Sequence, residues 1–362
     1  MRMATQTHIL GDGVAAMMLA SKADTLHNHQ LTIIHPEGAP QVKDHMLGFW
    51  QTPELDFAVE SSRASWSKWS VITDEGEFEL ESKNHPYHAM HKVEFLQNCR
   101  EKAESKGVKF SEQNNAEGAE LVFDSRPPIA PKNAMLQHFL GQEISVDKPV
   151  FDSSKAILMD FRVDQSRGMH FIYLLPFSPT CALIESTLFS TEITPREYYV
   201  DTINSYLSDN YGLSSFEIIH EEKGVIPMGN LAPHDSAIPG IGANAGAIRP
   251  ASGYTFAFIQ QQIQSAINET NKGKPLKFKR PHKSVDVWMD GVLLTVLRHW
   301  PNQGPKLFGR MAASLTGDQF IRFMSGQAGW GLRMKVILAM PKLPFIKGAS
   351  KFIFTRPEKV VS

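Results

Sequence analysis

The chain has 362 residues, of which 42% are hydrophobic and 21% charged, and its formal net charge is −1. That length allows two lobes around a sizeable core in an ordinary globular composition. The two cysteines, Cys99 and Cys181, are too few for a disulfide framework and form no CxxC pair, which fits a reducing cytoplasm. No run of 18 uncharged apolar residues is present, which excludes a spanning helix, and residues 1–10 read as the approach to a strand, not as a signal peptide.

Residues 8–10 read as a strand leading into Gly11-Asp12-Gly13-Val14-Ala15-Ala16, a G-x-G-x-x-A turn. A helix is expected over 17–23 and an apolar strand over 31–34. This is the βαβ context that a dinucleotide fingerprint requires. Gly11 permits the tight turn, Gly13 lets a pyrophosphate approach the backbone, and Ala16 allows helix to pack on strand. The helix start adds donors and a positive dipole end. An acidic residue normally takes the ribose hydroxyls at the end of the second strand; here that place holds His35, with Glu37 two positions on. An imidazole bonds a ribose with less strength than a carboxylate, so retained and weakened binding both stand open.

Residues 119–126 form a further strand ending in Arg126, which either faces a cofactor or substrate mouth or pairs with Asp124. His138, within residues 137–143, reads as structural. Residues 171–175 and 181–184 are apolar runs flanking Pro176-Phe177-Ser178-Pro179, the pattern of a β-hairpin. Glu185 follows the second run. A carboxyl at the end of an apolar strand is costly unless it is paired or protonated, which makes Glu185 a candidate acid for an apolar substrate. A solvated or salt-bridged strand end is the plain alternative.

Asp160 and Arg162 share a face by strand alternation and form either a cavity-lining pair or a surface ion pair. Glu222, shortly before Gly224, is a further candidate carboxylate. No histidine set has metal-ligand spacing, and no Ser-His or Cys-His arrangement stands out, so no metal is expected.

Charge is split along the chain. Residues 272–362 carry 17 lysines and arginines against four carboxylates, whereas the first 271 hold 20 and 34. Bases alternate with bulky apolar groups in Lys277-Phe278-Lys279-Arg280, in 333–338 and in 342–347. That mixture suits the headgroup region of an anionic bilayer; no recognition motif points to nucleic acid. A basic solvated face is the alternative.

Several motifs together carry a family resemblance. The block Met159-Asp160…Val163-Asp164-Gln165…Phe171…Tyr173…Leu175-Pro176…Ser178-Pro179-Thr180…Leu183-Ile184-Glu185…Thr187 resembles the central block of the lycopene β-cyclases of carotenoid-making bacteria. Glu221-Glu222-Lys223-Gly224-Val225-Ile226-Pro227 and then Gly242…Ala245-Gly246…Pro250…Gly253-Tyr254 follow in the order of that family. The likeness covers most of the chain and is weakest over 45–110.

The resemblance implies ring closure on lycopene, a hydrocarbon, by an acid-initiated and net non-redox cyclisation that needs reduced FAD, with NADPH as reductant. It gives Glu185 the part of the acid, with Asp160 and Glu222 as secondary candidates. Gly11, Gly13, Ala16, His35, Arg126, Gly242, Gly246, Pro250 and Gly253 would hold the flavin. Many relatives carry a second acidic residue directly after the acid; here it is Ser186. The carotenoid substrate implies a cytoplasmic protein lying peripherally on the inner face of the cell membrane.

The expected fold is α/β: a Rossmann-type FAD-binding domain of the flavin monooxygenase-like type, an inserted antiparallel-sheet substrate domain and a helical C-terminal segment. Residues 1–44, 86–126 and 225–271 would form the first, 45–85 and 127–224 the second, and 272–362 the third, with helices over 285–300 and 318–323. A flavin-dependent monooxygenase or oxidoreductase on another apolar substrate, or a diverged carotenoid-binding relative without activity, are the alternatives.

Overall fold

The structure, a computed structural model, describes residues 4–35, 37–38, 42–112 and 118–354, with 353 and 354 described by their backbone alone. The parts of the expected segments at 1–3, 36, 39–41, 113–117 and 355–362 lie outside the described residues. The chain divides into two compact units, each assembled from separated segments.

The first unit comprises Met1–Arg63, Ala89–Lys132 and Asn230–Lys283. Its four-stranded sheet runs Lys109–Ser111, His29–Ile34, Thr5–Leu10, Leu121–Asp124 from edge to edge, and every pair is parallel. Buried parallel strands read as near-continuous apolar runs, as Leu31, Ile33 and Ile34 do. The first strand passes through Gly11 into the helix Val14–Ala20. That helix begins three residues earlier than its apolar pattern suggests and buries every residue from Ala15 to Ala20. Ile9, Met18, Leu19, Phe95, Phe123, Phe258 and Ile263 share one core.

Phe49, Leu55 and Ala58 join the same core, with Phe49 and Phe256 ring centroids 5.2 Å apart. Residues 45–63, which the sequence reading groups with the inserted sheet, therefore cluster with this unit. Burial of those apolar side chains decides their allegiance.

The second unit comprises Ala64–His88, Asn133–Gly229 and Ser284–Ser362. Its sheet has seven strands in the order Glu217–Pro227, Leu136–Ser145, Cys181–Ser190, Met169–Ser178, Lys155–Asp160, Lys68–Thr73, Gly76–Glu81. All neighbours are antiparallel except Lys155–Asp160 with Lys68–Thr73, which is parallel. The hairpin strands Met169–Ser178 and Cys181–Ser190 are longer than their apolar runs. Pro176, expected in the turn, lies inside the first strand where the register shifts, the place a residue without an N–H is tolerated.

The helix Arg196–Tyr211, closed by Gly212 in the left-handed region (φ 65°), covers one face of this sheet. Tyr199, Ile203, Tyr206 and Leu207 pack there with Leu140, Ile144, Ile172, Ile184 and Leu188. The later helices are Ser284–His299, Gly304–Ser314, Gly317–Met324, Trp330–Ala339 and Lys342–Phe354. The second of them sits so close to the sheet that a Cβ on Gly304 would lie 2.5 Å from Met169, and one on Gly309 3.0 Å from Phe78. The C-terminal stretch from Ser284 thus packs as part of the sheet unit.

Candidate active site

Alternation along Cys181–Ser190 sends Ile184 and Leu188 to the helix-covered face and Leu183, Glu185 and Thr187 to the other. Glu185 stands in the middle of the strand, not at its end, and is 9% exposed. The register sets Glu222, Gly141, Glu185 and Tyr173 side by side on four neighbouring strands. Strands are about 4.8 Å apart, so the two glutamates start roughly twice that distance from one another. Gly141 lets them close the gap. A Cβ there would lie 2.7 Å from Glu185 Cγ and 3.1 Å from Glu222 Cγ.

Burial, then the charge of Glu222 and a hydrogen bond between the two carboxyls, push Glu185 well above the usual carboxyl range. Glu222 is itself buried. Two carboxylates in one dry site resist ionising together, so the pair holds a proton to higher pH than a free carboxyl does. Beside Glu185, the Tyr173 and Tyr87 hydroxyls are 2.9 Å apart. Burial raises both phenols, and both stay neutral.

Ser186 points to the opposite face. Its buried hydroxyl donates to His170 Nε2 at 2.8 Å, while His170 Nδ1 donates to the Asp164 carbonyl, also at 2.8 Å. Burial lowers His170 to about 4 and keeps it neutral, which is consistent with that assignment. A carboxylate at position 186 would therefore face away from Glu185.

Asp160, grouped with Glu185 and Glu222 by the sequence reading, is separated from them by the sheet. It is fully buried, takes both Arg162 Nε and Nη2 at 3.0 and 2.6 Å, and accepts from the Tyr206 hydroxyl at 2.8 Å. Those three bonds give it a structural place on the helix-covered side. His138 is likewise held, by Tyr199 and Ser190 at 2.5 and 2.7 Å, with its pKa lowered by burial to about 4.

In the first unit, Gly11 takes φ 93°, and a Cβ there would press within 3.3 Å of the Arg126 backbone nitrogen. Around Gly13 nothing lies within 4 Å of a Cβ position, so the backbone there is open to a ligand. Ala16 is fully buried under the turn. His35 Nδ1 bonds Asp12 Oδ2 at 3.0 Å, with both side chains partly exposed. Asp12, the middle residue of Gly-Asp-Gly, thus brings a carboxylate to the place where His35 stands; Glu37 is exposed.

Arg126 is bidentate to the buried Asp124, each bond 2.9 Å. Gly242, at φ 65°, approaches the helix Val14–Ala20 so closely that a Cβ would fall 2.3 Å from that of Ala15. Its N–H donates to Gln262 Oε1 at 2.7 Å. Gly246 is also left-handed. Pro250 and Gly253 occupy a turn closed by Gly253 N–H to Arg249 O and Arg249 N–H to Tyr254 O, both 3.0 Å. Gly141, Tyr173, Asp12 and Gln262 escaped the sequence reading. Asp12 had a local signal in its place within the Gly-rich turn, and Tyr173 in its place within the block before Glu185.

Among the described residues, no group of His, Cys, Asp and Glu is arranged to hold a metal, and no helix is long and apolar enough to cross a membrane.

The family described as lycopene cyclase protein matches residues 111–350. The chain belongs to the lycopene cyclase family. Among family relatives, the lycopene β-cyclase of Paracoccus sp. (strain N81106 / MBIC 01143) is 32% identical over 152 residues, 40% of this chain and 39% of that protein. The lycopene β-cyclase of Pantoea ananas is 33% identical over 147 residues, 38% of each. The chain thus spans well under half the length of these two lycopene cyclases. A solved flavin-dependent brominase covers 97% of the chain at TM-score 0.62 and 14% identity. That likeness concerns the fold: a Rossmann-type α/β architecture with a helical C-terminal segment.

Proposed function

We propose that this chain is a lycopene β-cyclase that converts linear ψ-end groups to β-ionone rings. The observation that carries the reading is the buried Glu185 held against the buried Glu222 over Gly141. Protonating an unactivated double bond needs an acid kept neutral at physiological pH, and burial beside a second carboxylate supplies one.

Glu185 delivers its proton to the terminal double bond of the end group. The internal double bond attacks the resulting cation, a ring C–C bond forms, and the charge moves to the ring carbon. The carboxylate pair, now without its proton, stabilises that charge electrostatically. Loss of a proton from the carbon beside the cation returns it to the pair and leaves the ring double bond. One proton leaves and one comes back, so the product is an isomer. The faces of Tyr173 and Tyr87 offer further electron density to a cation.

The residues of the first unit fit a dinucleotide. Gly13 leaves its backbone open to a pyrophosphate, Asp12 with His35 offers polar groups to a ribose, and the left-handed Gly242 and Gly246 let their turn pack closely against Ala15 and Arg280 beside the Gly-rich loop. Gly11, Ala16, Arg126, Pro250 and Gly253 shape the same loops. We assign this unit as the FAD domain and the sheet unit as the substrate domain. Reduced FAD held by these residues, with NADPH as reductant, would supply negative charge of the kind that favours a cationic transition state.

The protein lies peripherally on the inner face of the cell membrane, in this reading. Support comes from Trp330, Leu338, Leu343 and Ile346, each at least 65% exposed, on helices that carry Lys335, Lys342, Lys347 and Lys351. Exposed apolar groups of that size interleaved with bases suit an anionic interface.

Expression in lycopene-accumulating cells tests the proposal. Cyclised pigment of unchanged mass is the expected result. Unchanged lycopene beside folded, flavin-loaded protein refutes it, and a product of altered mass points to a flavin oxidoreductase instead.

A further inference from the structure

The helices after Ser284 enclose an apolar space that the chemistry above does not use. A cavity of about 290 Å³ lies among Ser284–His299, Gly304–Ser314, Trp330–Ala339 and Lys342–Phe354, close to the lower end of the roughly 300–1,000 Å³ of small-molecule sites. Leu293, Leu307, Met311, Phe323 and Phe345 line it, and its charged lining residues are Asp290 and Lys342. Walls with so few polar groups reject headgroups and water alike. Methionine and phenylalanine linings adapt to chains of varied shape.

Two features show where an occupant comes from and where it leads. Trp288, Ile337 and Ile346 line the cavity and are also 45%, 37% and 65% exposed, so its mouth opens at the surface. Apart from Arg333, which is buried in a pair with Asp286, residues 319–354 carry five bases, Arg322, Lys335, Lys342, Lys347 and Lys351, and no acid. Inward, the wall residue Phe308 stacks on Phe161 at 5.9 Å, and Phe161 meets Phe171 at 5.6 Å. Phe171 lies two residues before Tyr173, hence on the same sheet face, and Tyr173 is the cross-strand neighbour of Glu185. The row of rings leads from the cavity wall along the sheet face that carries the acid.

We propose that this cavity holds the trailing part of the linear hydrocarbon whose end group is presented to Glu185, received through the mouth from an anionic bilayer. The inference rests on the lycopene reading and extends it. A lipid acyl chain would fill the space equally well but would leave the row of rings toward Glu185 without a use, so the polyene is the occupant favoured.

The test uses the full-length, flavin-loaded protein with two cavity-filling variants, Leu293→Phe and the bulkier Met311→Trp, and with Glu185→Gln. Lycopene in detergent micelles is titrated while tryptophan fluorescence is read, and turnover is measured in parallel. Wild type and Glu185→Gln are expected to bind lycopene equally, and the filled variants to bind at least tenfold more weakly, with KM raised in step, kcat less affected and circular dichroism unchanged. Wild-type KM in a folded filled variant overturns the cavity assignment and leaves the cyclase reading intact. The assignment also falls if phosphatidylglycerol with brominated acyl chains quenches Trp288 and lycopene does not relieve it, since the occupant is then a lipid. Loss of lycopene binding and turnover in the wild type overturns both readings.

Discussion

Glu185 and Glu222 sit on strands that are not neighbours, and they meet because the residue between them is Gly141. The intervening strand contributes backbone hydrogen bonds and an empty place where a side chain would stand. Each glutamate bends into that place. An acid with a raised pKa follows from the geometry of three strands and belongs to no single local motif.

Replacing Glu185 by Gln keeps shape and burial but removes the proton. Cyclisation should fall by about 10²–10⁴-fold, the usual worth of a general acid, with flavin absorbance unchanged. Glu222→Gln leaves a hydrogen-bonding partner without its charge, and a smaller loss of roughly 10–100-fold is expected. Pigment formation per unit of purified protein reads both.

Gly141→Ala should injure the pair without touching either carboxyl. The added methyl would stand 2.7 Å from Glu185 Cγ, so the side chains must move apart. Overpacking of this kind costs about 1–3 kcal/mol. Denaturant unfolding should show that loss, and activity should fall in Ala and further in Val.

The raised pKa of Glu185 makes a pH prediction with a definite sign. The folded state holds this proton above the ordinary carboxyl value of about 4.3, whereas the unfolded chain releases it there. Stability from this group is therefore complete below that pH and declines as pH rises toward the folded-state pKa. Glu185→Gln should flatten the decline, so the variant gains on wild type as pH rises above the ordinary carboxyl value. Activity should fall as pH rises through the folded-state pKa, with an apparent pKa that belongs to the pair. Thermal melts and rates across pH 5–9 check both.

Arg333 and Asp286 form a bidentate pair at 2.7 and 2.9 Å, both nearly inaccessible, and tie Trp330–Ala339 to Ser284–His299. Removing one partner strands a buried charge, at a cost of about 3–5 kcal/mol. Arg333→Met alone should lower the unfolding midpoint more than Arg333→Met with Asp286→Leu, in which no charge is stranded.

Asp12 and His35 are expected to act together on the cofactor. Asp12→Ala should weaken FAD binding by about 10- to 150-fold, in line with loss of one hydrogen bond to a charged group, roughly 1.5–3 kcal/mol. Flavin fluorescence during titration of the apoprotein measures it. An unchanged affinity would remove Asp12 from the ribose site.

Local pattern carried much of this. The Gly-Asp-Gly turn after an apolar strand marked the parallel unit, because a tight turn and a close helix need those small residues at that spacing. Apolar runs located the hairpin, although its strands reached farther than the runs and took in Pro176. Residues 45–63 were assigned to the wrong neighbours, since nothing local says which core Phe49 and Leu55 will fill.

The sequence by itself determined the βαβ unit, the candidate Glu185 and the family, because short local motifs, and for the family their order along the chain, carry them. Tertiary structure alone decided which carboxylate joins Glu185. Asp160 and Glu222 were equal candidates on paper; strand register brought Glu222 alongside and turned Asp160 toward Arg162 and Tyr206. It also showed Ser186 to be no gap in the site, because a β-strand turns consecutive side chains to opposite faces. Register depends on pairing between strands far apart in sequence, and no single stretch of the chain contains it.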